Sequence, residues 1–169
     1  MVESKELEMK FDLVEVKKEN KNIIYNLMQL YTYELSFFED ETTVFEMLDS
    51  GLYVMNKYVT RYWEEKNRHP YILKCNDKLA GFVLYRFNEE NFNEIAEFFV
   101  LNKYRKNGAG TFMANKMFNM YKGKWEVRTL VKNERAQKFW RNTIKEFSDN
   151  NFEEKYIREG SRLAFYFES

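Results

Sequence analysis

The chain has 169 residues, 44% hydrophobic and 32% charged, with 27 basic and 27 acidic side chains. Such a length carries one domain with a real core, so residues 1–169 read as a single domain, and the composition excludes an intrinsically disordered chain. No apolar run approaches the ~20 residues of a membrane span, and a single Cys and a single His leave neither a disulfide framework nor a zinc site of the usual kind.

The start, Met1-Val2-Glu3-Ser4-Lys5-Glu6, has the mixed charge of an ordinary terminus rather than of a secretory signal, and with the lone Cys75 it points to a reducing cytoplasm. Alternation of Phe11, Leu13 and Glu15 against Asp12, Val14 and Val16 predicts a first strand. Asn20 is placed to cap a helix reaching Phe37, with Ile23, Leu27, Leu30 and Tyr31 on one stripe. A second helical region is expected from Thr43 to Asn67, interrupted at Gly51. His69 reads as a loop residue, and Pro70 opens a strand, Tyr71 to Cys75. Asn76-Asp77 turns the chain into a second strand, Leu79 to Phe87.

After a polar connection, Ile95 to Leu101 reads as a strand and Thr111 to Tyr121 as a helix, with Gly123 as its left-handed cap. Trp125 to Val131 is a strand. Asn133 starts a helix to Phe147 whose apolar positions Ala136, Phe139, Trp140, Thr143, Ile144 and Phe147 form one face. A terminal hairpin, Phe152 to Arg158 and Leu163 to Phe167, turns at Glu159-Gly160-Ser161. The order predicts an α/β fold with a mixed sheet and helices on both faces.

The richest segment joins the strand ending at Val100 to the helix after it. It reads Arg105-Lys106-Asn107-Gly108-Ala109-Gly110-Thr111, an R-x-x-G-x-G pattern. Two glycines allow close approach to the main chain, and the helix N-terminus presents free N–H groups and a favourable dipole to an anion. It is neither a Walker P-loop nor a dinucleotide fingerprint. The charge agrees with a local anion site. Leu101 to Lys145 holds twelve Lys or Arg and only Glu126 and Glu134 as acids, whereas Glu39 to Asp49 holds five acids and no base. A neutral chain with one basic segment suggests a discrete polyanion rather than a long nucleic-acid track.

This loop, in its strand–loop–helix setting, resembles the pyrophosphate loop of the GCN5-related N-acetyltransferase (GNAT) superfamily, and the element order resembles that family over nearly the whole chain. The resemblance implies the acyl-CoA N-acyltransferase type of fold, with a mostly antiparallel central sheet, and acetyl-CoA as cosubstrate. It implies an acetyl group moved to an amine by direct attack on the thioester, and no metal. It places the main chain of Phe98, Phe99 and Val100 against the pantetheine arm. Lys106, Asn107, Gly108, Ala109, Gly110 and Thr111 follow Arg105 around the pyrophosphate. Asn133, Ala136, Phe139 and Trp140 resemble the family's N-x-x-A-x-x-[FY]-[YF] pattern, with Asn133 hydrogen-bonding the cofactor and Ala136 letting it pass. The acceptor is then a small-molecule or peptide amine. A homodimer is an assembly the family often adopts.

The chain departs from the pattern at Trp140, where many relatives carry a Tyr that protonates the leaving thiolate. An indole N–H is a donor only, so Trp140 can pack near the cofactor but cannot act as the acid. The candidate base is Glu94 or Glu97, of which Glu97 is favoured. Their odd spacing puts them on opposite faces of a regular strand, which a bulge would change. The acids of Glu39 to Asp49, with Tyr31, Tyr33, Phe37, Phe38, Tyr58, Tyr62 and Trp63, suggest a cationic acceptor. The competing readings are a non-catalytic acyl-CoA-binding module and a nucleic-acid-binding domain using the basic segment.

Overall fold

Seven strands form one sheet in the order β1-β2-β3-β4-β5-β7-β6. The structure, a computed structural model, describes residues 8–38 and 45–169. The strands are β1 (Phe11–Glu15), β2 (Arg68–Cys75), β3 (Lys78–Phe87), β4 (Asn93–Val100), β5 (Lys124–Leu130), β6 (Phe152–Ile157) and β7 (Arg162–Glu168). All neighbours are antiparallel except β4 and β5, which are parallel. The predicted mostly antiparallel sheet is therefore present. The helices are α1 (Lys21–Leu35), α2 (Ala109–Met120) and α3 (Glu134–Phe147).

The two faces of the sheet bury different sets. Ile24, Leu27 and Met28 of α1 pack with Val59 and Tyr62 over Ile72, Phe82, Leu84 and Phe99. Met113, Met117 and Phe118 of α2, with Trp140 and Ile144 of α3, cover Leu73, Val83, Tyr85, Ile95, Trp125 and Val127. Each fully buried large side chain contributes about 1.5–3 kcal/mol, and the period-2 alternation along β3 sends Phe82 and Leu84 one way and Val83 and Tyr85 the other. The predicted helices on both faces thus follow from two separate apolar sets.

The region expected to be helical from Thr43 to Asn67 holds no α-helix within the described part. It holds an antiparallel bridge between Met47 and Tyr53, closed around Gly51 at φ +76, and one 3₁₀ helix, Lys57–Trp63. The reason is local. Gly51 takes the left-handed region, and the Tyr53 main chain is occupied on both sides by the Gln29 amide, at 2.7 and 3.1 Å. Thr43 itself, with Glu39, Asp40 and Glu41, lies outside the described residues.

Smaller differences have similar causes. Asn20 makes no side-chain cap, since a 3₁₀ turn, Lys18–Asn20, already leads into α1. Gly123, at φ +113, does not cap α2; its N–H and C=O pair with Ser169 at the end of β7, 3.3 and 3.0 Å away. His69 is a strand residue, with Nδ1 2.7 Å from Glu15 of the adjacent β1. No helix among the described residues is long and apolar enough to cross a membrane.

Candidate active site

The site begins with an irregularity in β4. Leu84 pairs with Glu97 and Tyr85 pairs with Ile95, so Ala96 is an extra residue with no partner in β3. A bulge of this kind shifts the side-chain alternation by one. Cross-strand partners share a face. Glu94 opposes Arg86 and Glu97 opposes Leu84, and Arg86 and Leu84 are two residues apart, so both glutamates face α1. The expectation of opposite faces for a regular strand gives way here because the strand is bulged.

Beyond the bulge, β4 and β5 separate. Their parallel pairing covers only Asn93–Ile95 with Trp125–Val127. Ala96 to Val100 therefore run without a neighbour on the β5 side, and a cavity of about 1140 Å³ opens there. Phe98, Phe99 and Val100 line one wall and Leu130 the opposite one. Gly81 permits the β3–β4 contact at this end, since a Cβ there would lie 2.2 Å from the Phe99 carbonyl oxygen.

At the wide end the loop after Val100 turns into α2. Lys106 sits at φ +61 and Gly108 at φ +80. The space around Gly108 is open, with nothing within 4 Å of a built Cβ. The first intrahelical bond of α2 runs from the Phe112 N–H to the Gly108 carbonyl, 2.9 Å, so the N–H groups of Ala109, Gly110 and Thr111 precede the ladder. Lys106, Gly108, Gly110 and Thr111 line the cavity; Ala109 is buried beneath it and Asn107 points outward, its amide donating to the Arg105 carbonyl at 3.1 Å. Gly110 is held small by Phe139, whose ring would be 3.1 Å from a Cβ.

The Arg105 guanidinium is already engaged. Its Nε donates to the Val100 carbonyl at 2.7 Å and it pairs with Glu34 of α1, which Arg135 of α3 also holds. Arg105 thus fixes the strand end and ties α1 to the loop, while the loop main chain faces the cavity. On the far wall Asn133 caps α3, accepting from the Ala136 N–H at 3.0 Å, and both residues line the cavity. Trp140 is buried and meets Phe98 edge-on at 4.7 Å and Phe139 at 4.9 Å.

The two glutamates have different surroundings. Glu94 is buried and clasped by Arg86 through two hydrogen bonds, 3.0 and 2.9 Å, with the Asn88 amide at 3.2 Å. Glu97 has no cation in hydrogen-bonding contact among the described residues. It accepts from the Tyr58 hydroxyl, and the Tyr31 hydroxyl lies against the same carboxylate. Burial pushes the Glu97 carboxyl above the ordinary glutamate range, while the two tyrosine hydrogen bonds and Arg86 oppose the rise. Burial and the Glu97 charge push both tyrosines up, so they keep their protons.

Tyr31 and Tyr58 were legible as aromatics bordering the acceptor side, but not as partners of Glu97. Glu34, Arg86, Arg128 and Arg135 were missed. Glu34 lies one helical turn beyond Tyr31, which is the signal that could have found it. Arg86 meets Glu94 only through the β3–β4 register.

Comparison with known proteins agrees with this fold. No curated protein sequence matches the chain significantly. Solved structures of similar shape include a spermidine N-acetyltransferase chimera of Vibrio cholerae SpeG and hSSAT, 15% identical, covering 94% of this chain and 95% of that one at a TM-score of 0.61. An acetyltransferase from Thermus thermophilus is 11% identical and covers 95% and 97% at a TM-score of 0.64. A Bacillus anthracis protein assigned as a streptothricin acetyltransferase, solved with acetyl coenzyme A, is 14% identical and covers 95% and 99% at 0.55. At these identities the likeness is one of fold. The family model described as the acetyltransferase (GNAT) family matches residues 25–143, from α1 to the buried face of α3, and the chain belongs to that family.

Proposed function

We propose that the chain is an N-acetyltransferase that moves the acetyl group of acetyl-CoA to a primary amine by direct attack. One observation carries the reading. A single cavity joins a glycine-bearing helix N-terminus at one end to Glu97 at the β4 bulge at the other. The residues present fit the cosubstrate. Three helix N–H groups and Lys106 suit a pyrophosphate, and the unpaired β4 edge suits an extended polar arm. When bound, acetyl-CoA supplies an activated carbonyl carbon and a thiol leaving group of ordinary pKa near ~8.5.

The side chains divide the remaining work. Glu97, its carboxyl raised above the ordinary glutamate range by burial, takes a proton from the incoming ammonium, directly or through one water, so the neutral nitrogen can form its bond to carbon. Tyr31 and Tyr58 hold that carboxylate in place. Glu94 is a positioning residue, since Arg86 occupies both of its oxygens. Main-chain N–H groups at the bulge stabilise the negative charge that develops on oxygen. Phe98, Phe139 and Trp140 wall the cleft. The departing sulfur leaves as thiolate and takes its proton from solvent, because Trp140 cannot give one.

The test is release of CoA thiol from acetyl-CoA against a panel of amines. Amine-dependent release that is lost in Glu97→Gln, with acetyl-CoA binding retained, supports the reading. Binding of acetyl-CoA without release for any amine favours the non-catalytic module, for which Trp140 in place of a tyrosine is the supporting feature. Failure to bind CoA at all overturns both.

A further inference from the structure

The cleft between β4 and β5 is open at one end and closed at the other. It opens toward the loop that leads into α2, and it closes where Asn93–Ile95 pair with Trp125–Val127. The free edge between those limits runs from Ala96 to Val100, five residues of β4. At a strand rise of ~3.3 Å per residue that edge is ~16 Å long.

The pantetheine arm of a CoA thioester can be measured on the same scale. About twelve covalent bonds separate its phosphate ester oxygen from its sulfur, the main chain of about four extended residues, or ~13 Å. An acetyl group adds about two bonds and brings the total to ~15 Å, within the free edge. Each further methylene adds about 1 Å, so a propionyl group reaches the paired end and a butyryl group overruns it.

The closed end is a packed wall. Ile95 and Val127 are direct partners in the ladder and are 4% and 0% exposed. Trp140 of α3 is buried in the same core and meets Phe98 edge-on at 4.7 Å. Ile95 and Trp140 also line the cavity, so they are the part of this core that a chain at the closed end touches. Interiors at native packing density do not yield the volume of a methylene without strain. On the other face of the sheet Glu94, next to Ile95, is bound by Arg86 and Asn88. An alkyl chain turned that way would cover a hydrogen-bonded ion pair and shield it from water.

Resting on the transferase reading above, we infer that the paired end of β4 and β5 is the stop that limits the acyl group to acetyl, and that Ile95 and Trp140 set the limit. Trp140 thereby has a function that needs no acidic proton.

Titration calorimetry with CoA, acetyl-CoA, propionyl-CoA and butyryl-CoA reads the limit without an acceptor. Butyryl-CoA should bind about tenfold or more weaker than acetyl-CoA, with propionyl-CoA between, since one methylene too many in a tight pocket is discriminated by about 10–200-fold. The same order is expected in kcat/KM with any amine that turns over. Trp140→Phe and Ile95→Val each remove atoms from the stop and should narrow the gap severalfold. Thermal unfolding shows whether each variant is folded, and Ile95→Val, one methyl smaller, decides if Trp140→Phe is not. Butyryl-CoA bound as tightly as acetyl-CoA overturns the inference and leaves the transferase standing. A gap that the folded variants leave unchanged overturns the assignment to Ile95 and Trp140. Graded binding of the thioesters with no amine turned over upholds the stop while the transferase reading falls. Absence of binding by CoA and every thioester overturns both.

Discussion

The Glu34 carboxylate of α1 is shared between Arg105, at the start of the loop that leads into α2, and Arg135, in the first turn of α3. Three elements that border the cavity are thereby joined through one negative charge. That charge sits beside the site where the cofactor phosphates are expected, and it opposes their binding. Removing it while keeping the amide shape leaves Arg105 anchored through Val100. Glu34→Gln should therefore tighten CoA about threefold to fivefold at low salt, with the gain fading as ionic strength rises. Titration calorimetry at two salt concentrations reads this. Weaker binding at both would mean that Glu34 serves to position Arg105.

The glycines in and around the loop make separable demands. Gly108 has φ +80 and open space, so alanine there meets no clash but is held in a disfavoured conformation at a cost of about 1 kcal/mol. Gly108→Ala should lower stability by that amount and also weaken CoA binding. Gly81→Ala is a different case, because its Cβ would meet the rigid Phe99 carbonyl at 2.2 Å. It should disrupt the β3–β4 pairing and lower the melting temperature far more. Thermal unfolding of the two variants side by side checks the order.

Much of this was legible because local pattern and tertiary structure agree. The Arg105–Thr111 loop, the strand before it and the amphipathic α3 each carry their own signal in composition and period. The stretch after α1 misled because Gly51 and the Gln29–Tyr53 pairing override a sequence compatible with helix. The bulge at Ala96 has no glycine to mark it, so the shared face of Glu94 and Glu97 could be known only from register. Of the five acids counted in sequence, Glu39, Asp40 and Glu41 lie outside the described residues and Glu46 and Asp49 are not on the cavity wall, whereas Arg86 and Arg128, from strands distant in the chain, are.

Glu94 and Arg86 should behave as a pair. Both oxygens of a buried carboxylate are bound, and removing one partner strands the other. Glu94→Ala should cost about 3–5 kcal/mol, the range for breaking a buried pair from one side. Denaturant unfolding of the single variants and of the double variant measures the coupling. Additive losses would show that the pair contributes little to each other's stability.

Glu97 ties stability to catalysis with opposite signs. Its folded-state carboxyl is raised above the unfolded value. Between those two values the folded state holds the proton that the unfolded state has released, so this group's contribution falls as pH rises through the window and stays unfavourable above it. Glu97→Gln should therefore melt higher than the parent at neutral pH, with the difference shrinking as pH drops below the ordinary glutamate value near ~4.3. Activity should move the other way, falling by about 10²–10⁴ in kcat/KM with loss of the acid limb of its pH profile. Tyr58→Phe supplies the control. Its hydroxyl stabilises the ionised form of Glu97, so deleting it should raise the acid limb to higher pH while leaving the base in place. An acid limb that is unchanged in both variants would remove Glu97 from the proton-transfer role.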